Sequence, residues 1–119
     1  MNSRFTYEFN KNATFDDLLR NSFVLSISNV QCQFFYDNMS KLSLKNMPIR
    51  MQGFSKQEFD NIELNQLAML SHVQIIHLAK ALNLPFVIVF EDDSIFDLEN
   101  YTISQIDDVV RHIPCKCNI

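Results

Sequence analysis

The chain has 119 residues, of which 47% are hydrophobic, 12% aromatic and 20% charged, and its formal net charge is -4. This composition predicts a single folded domain, and the negative charge, without a cluster of lysine and arginine, argues against nucleic-acid binding through phosphate neutralisation. No apolar run reaches the roughly 20 residues of a membrane span and the N-terminus has no signal-peptide core, so we expect a cytoplasmic protein, with peripheral attachment to the inner face of a membrane left open.

The first half of the sequence contains signals for an N-terminal arm and four further elements. Aromatic residues at alternating positions predict an extended arm or edge strand within residues 1–13, and a capping-box-like sequence then opens a short helix over residues 14–20. Residues 23–28 have β-propensity throughout and predict the first strand of a sheet. A helix over residues 30–42 and a second strand over residues 47–51 follow.

The clearest element is a helix over residues 64–82. Sequences with capping-box spacing at residues 55–58 and 60–63 precede it. Its apolar positions recur at intervals of three and four residues, which predicts that they share one face. These positions are Leu64, Leu67, Ala68, Ser71, Ile75, Leu78, Ala79 and Leu82.

The run Asn83-Leu84-Pro85 ends this helix and leads into the most apolar stretch of the chain, residues 85–90. Because this stretch is rich in β-branched and aromatic residues, it predicts a strand that is buried on both faces of a sheet. Strands and helices therefore alternate, which is typical of an α/β fold with a parallel sheet. A last helix begins at Thr102 and carries an apolar stripe of Ile103, Ile106, Val110 and Ile113.

Three acidic residues, Glu91, Asp92 and Asp93, follow the apolar strand directly. Carboxylates this close repel one another and are costly to bury unpaired, so a positive partner is expected beside them. Ligands of open α/β sheets bind at the carboxyl ends of the strands, and hard oxygen ligands suit Mg²⁺ or Mn²⁺. A divalent cation that carries a phosphorylated ligand is therefore the favoured partner. From spacing alone a solvated acidic turn is an equal alternative, and the position after the apolar strand favours the cation site.

The adjacent residues Ser71 and His72 form a second candidate site on the long helix. Ser71 interrupts the apolar face, and His72 lies one step round on its flank. Periodicity alone favours a structural interpretation, in which Ser71 bonds to the helix carbonyl four residues earlier and a half-buried His72 is satisfied by a neighbour.

The remaining polar residues indicate no catalytic set. We expect His77 and His112 at the surface, since neither has a partner acid at ligand spacing. Asp107 and Asp108 are interpreted as a solvated helix face rather than a second metal site. No Ser-His-Asp, Cys-His or HExxH arrangement can be assembled.

Glycine and cysteine usage exclude several kinds of site. Gly53 is the single glycine, so neither a Walker loop nor a GxGxxG fingerprint is present, and a nucleotide must be held by side chains, a metal and helix ends. Cys32, Cys115 and Cys117 are odd in number and lack CxxC spacing, which favours reduced thiols over a disulfide framework or a zinc site.

Two stretches together resemble glycosyltransferase family 25, whose members include bacterial lipopolysaccharide and lipooligosaccharide glycosyltransferases. The first is Leu-Ala-Met-Leu-Ser-His at residues 67–72, and the second is Leu-Pro-Phe-Val-Ile-Val-Phe-Glu-Asp-Asp at residues 84–93. In the family pattern a Leu-Ser-His helix precedes an apolar strand and Glu-Asp-Asp at this spacing. Residues 23–28 look like the first strand of the family, and residues 112–114 look like the segment that leads into its next strand.

The resemblance implies a GT-A type Rossmann-like fold, with a parallel sheet flanked by helices. It implies transfer of a sugar, with galactose a candidate, from a nucleotide sugar to a glycan acceptor. Asp92 and Asp93 would match the acids that bind the divalent cation (Mn²⁺ or Mg²⁺) and the diphosphate, with Glu91 supporting them. Ser71 and His72 would complete the nucleotide-sugar-binding set.

The chain also departs from the family pattern. The arginines expected after the first strand are absent from residues 28–32, and Leu64-Asn65 stands where the family has Gly-Glu. Family members are about twice as long, so we interpret residues 1–119 as a single incomplete domain, the N-terminal nucleotide-sugar-binding half, without the expected catalytic base.

Two further functions compete with sugar transfer, an interaction protein without turnover and a receiver-like phosphoacceptor. A catalytically inactive remnant or interaction protein would keep the half-fold without turnover. A homo-oligomer or a complementing chain would be favoured by the unpaired edge of an unfinished sheet. A receiver-like phosphoacceptor is disfavoured, because too few residues follow Asp93 to supply the further aspartate and lysine that such a site needs.

Overall fold

The structure, a computed structural model, describes residues 6–8, 13–112 and 116–118. Helices flank both faces of a small open parallel sheet, so the expected α/β class is confirmed. A 3-10 turn, Leu19–Asn21, follows the first helix. In chain order the strands and helices are β1 (Thr6–Glu8), α1 (Phe15–Leu18), β2 (Ser22–Ser26), α2 (Asn29–Ser40), β3 (Ile49–Gln52), α3 (Leu64–Ala81), β4 (Ile88–Glu91), α4 (Ile103–Arg111) and β5 (Lys116–Asn118).

The strand β2 is the centre of the parallel sheet. It pairs with β3 on one side, where Phe23 lies opposite Ile49, and with β4 on the other, where Ser22 lies opposite Ile88. The chain therefore leaves β2 toward one neighbour and later returns on the opposite side, which gives the order β3-β2-β4. In such a sheet a crevice opens at the carboxyl ends of the two strands where the direction reverses, here β2 and β4.

Each face of the sheet has its own apolar core, because successive strand residues point to opposite sides. Val24 packs with α1, α2 and α4, and Phe90 from β4 joins this core through ring contacts with Phe15 and Phe35 at 6.4 and 5.7 Å between centroids. On the opposite face, Phe23 and Leu25 pack against α3. All five residues of β2 are buried.

The apolar stretch 85–90 is not the strand that the sequence predicts. The strand begins only at Ile88 and includes Glu91, and its apolar residues are half-buried rather than buried on both faces. The reason is its place at the sheet's edge: within the described residues β4 pairs with β2 alone. The doubly buried strand is β2.

The helix α3 matches the predicted helix closely, but three residues predicted on its apolar face, Leu64, Ala68 and Leu82, are exposed. Leu67, Ser71, Ile75 and Ala79 are buried, whereas Leu64 and Leu82 at the two ends are exposed because the helix extends past the sheet. Asn83 adopts a left-handed conformation (φ 56°) and ends the helix, as expected. In the described part of the chain, no helix has the length and apolarity needed to cross a membrane.

The sequence signals before α3 do not cap it. Its N-cap is Glu63, which makes no side-chain capping bond. The Ser55–Glu58 spacing instead forms a turn, in which the Ser55 hydroxyl donates to the Glu58 carboxylate.

A separate two-stranded antiparallel sheet pairs β1 with β5. The arm expected near the N-terminus thus contains a strand, Thr6–Glu8. The arm residues 1–5 and 9–12, the stripe residue Ile113 and Cys115 lie outside the described residues, while Cys32 is a buried free thiol.

Asp107 lies on no solvated face, contrary to the interpretation made from the sequence. It is half-buried, and its carboxylate accepts a hydrogen bond of 2.8 Å from the backbone N–H of Phe15. Asp107 therefore satisfies a donor at the N-terminus of α1, where a negative charge is also favourable. The neighbouring Asp108 is exposed, as expected, and lies near His112.

Replacing Asp107 should destabilise the protein more than replacing its neighbour. The Asp107→Ala variant loses the bond to the α1 N-terminus, and its free energy of unfolding in urea should fall by about 1–2 kcal/mol. Asp108→Ala, on the same helix, should stay within about 0.5 kcal/mol of the parent. Equal losses in the two variants would contradict the assigned role.

The capping box of α1 predicts a pH dependence. The hydrogen bond from the backbone N–H of Thr14 to the Asp17 carboxylate (3.0 Å) holds the pKa of Asp17 below its ordinary value of 3.8. Because the folded-state pKa is the lower one, this stabilisation is present above the unfolded-state pKa and is lost as the pH falls through the folded-state pKa. In urea titrations Asp17→Asn should therefore be less stable than the parent near neutral pH, and the difference should shrink as the pH falls below about 4. A constant difference would show that the charge of Asp17 contributes nothing.

Candidate functional site

The residues singled out by the sequence meet at the carboxyl ends of β2 and β4. Leu25 of β2 lies opposite Glu91 of β4 in the parallel register, so the residues that follow them leave the sheet side by side. A cleft of about 280 Å³, here called the α3 cleft, opens between these strand ends and α3. It is lined by Leu25, Ser26, Ile27, Gly53, Phe54, Lys56, Leu64, Leu67, Ala68, Ser71, His72, Glu91, Asp92 and Asp93.

The three acids separate where the strand ends. Glu91 turns toward α3, where its carboxylate lies 3.5 Å from the His72 ring nitrogen, an ion pair when the imidazole is protonated. Asp92 turns toward β2, where its carboxylate accepts a 2.8 Å hydrogen bond from the Ser26 hydroxyl. Asp93 is exposed at the mouth of the cleft. This divergence relieves the repulsion that three adjacent carboxylates would otherwise feel.

Ser26 is nearly fully buried and orients Asp92. Its single hydroxyl proton has two acceptors within reach, the Asp92 carboxylate at 2.8 Å and the Ser28 carbonyl at 2.9 Å. The same oxygen accepts a 3.3 Å hydrogen bond from the Ser28 N–H. The loop after β2 and the loop after β4 are thus joined through one side chain.

Ser71 shapes the wall of the α3 cleft. Its hydroxyl donates to the carbonyl of Leu67, four residues earlier, at 2.8 Å, and accepts from the backbone N–H of Phe54 at 3.0 Å. The first bond is the one expected from the structural interpretation of the sequence. The second ties the loop after β3 to α3. His72 is half-buried, with 39% of its side chain exposed, and faces Glu91.

Gly53 permits the close approach of three elements beside the cleft. A Cβ atom at this position would lie 3.2 Å from Ile27 Cγ2 and 3.4 Å from Ser71 Oγ. A side chain at this position would require the Ile27 side chain to shift by a few tenths of an ångström.

Two functional candidates were missed in the sequence. Ser26 could be found only from the strand order, because it contacts Asp92 at a sequence separation of 66 residues. Lys56 comes from the loop after β3, and its ammonium group donates to the carbonyl of Ile62 at 2.6 Å. Among the described residues that line the α3 cleft, Lys56 is the one with a permanent positive charge.

A second cleft lies on the other side of the same two aspartates. This α2 cleft has a volume of about 290 Å³ and opens between α2 and the segment after β4. Asp92 and Asp93 therefore stand on a ridge between two clefts, one toward each helical layer. The lining residues of the α2 cleft are Gln31, Phe34, Phe35, Asn38, Asp92, Asp93, Ser94 and Ile95.

The carboxylates at the end of β4 suit a cation that is bound together with its ligand. With the other described residues they do not form a closed metal site made of protein groups alone. Within residues 13–112, no three His, Cys, Asp or Glu side chains come close enough together to hold a metal ion. Mg²⁺, however, is usually held by one or two protein carboxylates together with the phosphates of its ligand. Asp92, oriented by Ser26, and the exposed Asp93 supply such a pair.

The other histidines lie away from this site. His77 is exposed, as expected. His112 is exposed too, but it does have an acidic neighbour, because its ring nitrogen lies 3.8 Å from the Asp108 carboxylate. The expectation that His112 lacks a nearby acid was therefore wrong, since one helical turn brings the two residues together.

Comparisons of the chain with models of known families, with curated proteins and with solved structures find no match. The function must therefore be inferred from the two clefts and the carboxylates between them.

A double-mutant cycle tests whether Ser26 and Asp92 are coupled. Removing either partner leaves the other without its hydrogen bond, so Ser26→Ala and Asp92→Ala should each lower the free energy of unfolding. The loss in the double variant should be about 1–2 kcal/mol smaller than the sum of the two single losses. The matched pair Ser26→Ala and Glu91→Ala should be additive within about 0.5 kcal/mol, since Glu91 faces α3. If the losses of unfolding free energy in Ser26→Ala and Asp92→Ala simply add, the hydrogen bond between the two side chains does not couple them.

Proposed function

We propose that this chain binds a nucleotide sugar together with Mg²⁺ or Mn²⁺, as the donor site of a glycosyltransferase with a GT-A type fold. The observation that carries the proposal is the position of Asp92 and Asp93 at the reversal point of the sheet, between two clefts. Ligand binding at this point is the general behaviour of open α/β sheets. The resemblance of residues 67–72 and 84–93 to glycosyltransferase family 25 supports the same assignment.

The charges explain why a cation must accompany the ligand. A diphosphate and the two aspartates are all negative, so direct contact between them would be repulsive, whereas a divalent cation placed between them is attracted by both. Asp92 is the proposed anchor because Ser26 orients it, and Asp93 is the proposed second ligand. The cation would offset the charge that develops on the leaving diphosphate.

The positive groups of the α3 cleft favour the diphosphate and the sugar on that side. Lys56 and, when protonated, His72 line the cleft. The carboxylate of Glu91 faces His72, so we assign Glu91 to holding His72 rather than to the cation. Ser71 is assigned a structural role, since both of its hydrogen bonds are to backbone groups of the cleft wall.

An interaction protein without turnover is the second candidate. The observation that favours it is the exposed apolar flank of α3, where Met69, Val73 and Ile76 lie on one side of the helix. A second copy or a complementing chain could cover this flank. The glycan acceptor and the role in lipopolysaccharide biosynthesis belong to the first proposal, the glycosyltransferase. Both rest on the resemblance to glycosyltransferase family 25.

Titration calorimetry with uridine diphosphate tests the donor site. Binding should require Mn²⁺ or Mg²⁺, and Asp92→Asn and Asp93→Asn should each weaken it at least about tenfold, because each removes a charged ligand of the cation. The matched control is Glu99→Gln, which changes an exposed acid of the same connection that lines neither cleft, and it should bind like the parent.

The proposal fails if binding is absent with every cation, or if Asp93→Asn binds as the parent does. Turnover is then measured with labelled sugar donors, by release of the nucleoside diphosphate. If the protein binds the nucleotide with a cation but releases no nucleoside diphosphate from any sugar donor, the interaction protein is favoured over the transferase.

A further inference from the structure

The α2 cleft carries an aromatic ring in an unusual position. Phe34 is 65% exposed although it is one of the largest apolar side chains. Its neighbour Phe35 is buried and forms ring contacts with Tyr36 and Phe90, so Phe35 belongs to the core and closes the bottom of the cleft. An exposed ring at the rim of a cleft gives a planar ligand a surface on which to stack.

Two amide side chains complete the polar lining of the α2 cleft. Gln31 and Asn38 line the cleft from α2, about one helical turn before and after Phe34. Within the described part of the chain, neither side-chain amide forms a hydrogen bond. Each amide offers both a donor and an acceptor, which is the combination needed to read the edge of a heterocyclic base.

The α3 cleft lacks this combination. Its aromatic residue, Phe54, is half-buried and packs edge-on against Phe59 at 5.5 Å between centroids. Its polar lining consists of Lys56, His72, the three acids and the hydroxyls of Ser26 and Ser71. The two clefts therefore differ in chemistry, one suited to a ring and the other to phosphates and hydroxyls.

We infer that the α2 cleft is the nucleobase subsite of the ligand, with Phe34 as the stacking platform and Gln31 and Asn38 as the groups that contact the base edge. The inference depends on the proposed function, since Asp92 and Asp93 are continuous with both clefts and would hold the cation and diphosphate between them. The nucleoside then lies toward α2 and the sugar toward α3. At about 290 Å³ the α2 cleft is close to the lower bound of about 300 Å³ for small-molecule pockets and suits a fragment such as a base.

The test compares ligands with and without a base. Affinities for uridine, cytidine, adenosine and guanosine diphosphates and for inorganic pyrophosphate are measured with Mn²⁺, for the parent and for Phe34→Ala. At least one nucleoside diphosphate should bind more tightly than pyrophosphate. Loss of stacking should weaken that nucleotide by about five- to a hundredfold and leave pyrophosphate unchanged. Phe34→Tyr should retain the affinity, because it keeps the ring.

Val30→Ala is the matched control. Val30 lies one turn earlier on α2, is 66% exposed and does not line the cleft, so its loss should not change any affinity. Saturation-transfer NMR adds a direct readout, in which the base protons should receive saturation from the parent and lose it in Phe34→Ala.

The outcomes separate the two proposals. If a nucleoside diphosphate binds and Phe34→Ala binds it equally well, the base subsite is wrong while the donor site stands. If all the nucleotides bind no better than pyrophosphate, the subsite is also wrong. If nothing binds with any cation, both proposals fail.

Discussion

Burial of β2 on both faces is the constraint on which the rest of the structure depends. Val24 points to the layer formed by α1, α2 and α4, while Phe23 and Leu25 point to α3, so neither layer can move away without exposing part of the same strand. Both neighbours of β2 run parallel to it, which brings three carboxyl ends to one edge. Because the chain leaves β2 toward β3 and returns to β4 on the opposite side, the connecting helices α2 and α3 lie on opposite faces and leave space between them at that edge.

The polar groups at that edge orient carboxylates without neutralising them permanently. Asp92 is held by a hydroxyl, which supplies a hydrogen bond but no charge, and Glu91 faces an imidazole whose charge depends on its protonation. An arginine in either place would have formed a closed ion pair and occupied the carboxylate. The observed arrangement leaves negative charge available, which is a cost to the free protein that an incoming cation would remove.

Much of the element order could be predicted from the sequence, because it depends on local patterns. The periodicity of α3 gave both of its ends to within one residue. Burial of the later strand could not be predicted, since an apolar run such as residues 85–90 does not reveal whether a strand is central or at an edge. The contact between Ser26 and Asp92 could not be predicted either, because it depends on β2 and β4 being neighbours in the sheet. Asp107 was misjudged for a similar reason, because its partner Phe15 is remote in sequence.

The bond between Asp107 and Phe15 spans 92 positions and joins the first helix of the parallel-sheet unit to its last. During translation, the α1 backbone therefore remains without this partner until α4 has emerged from the ribosome. Contacts of such long sequence separation slow the search for the native state and delay cooperative closure. A nascent chain that lacks α4 would therefore leave part of the apolar layer over Val24 uncovered, because Val110 of α4 belongs to that core.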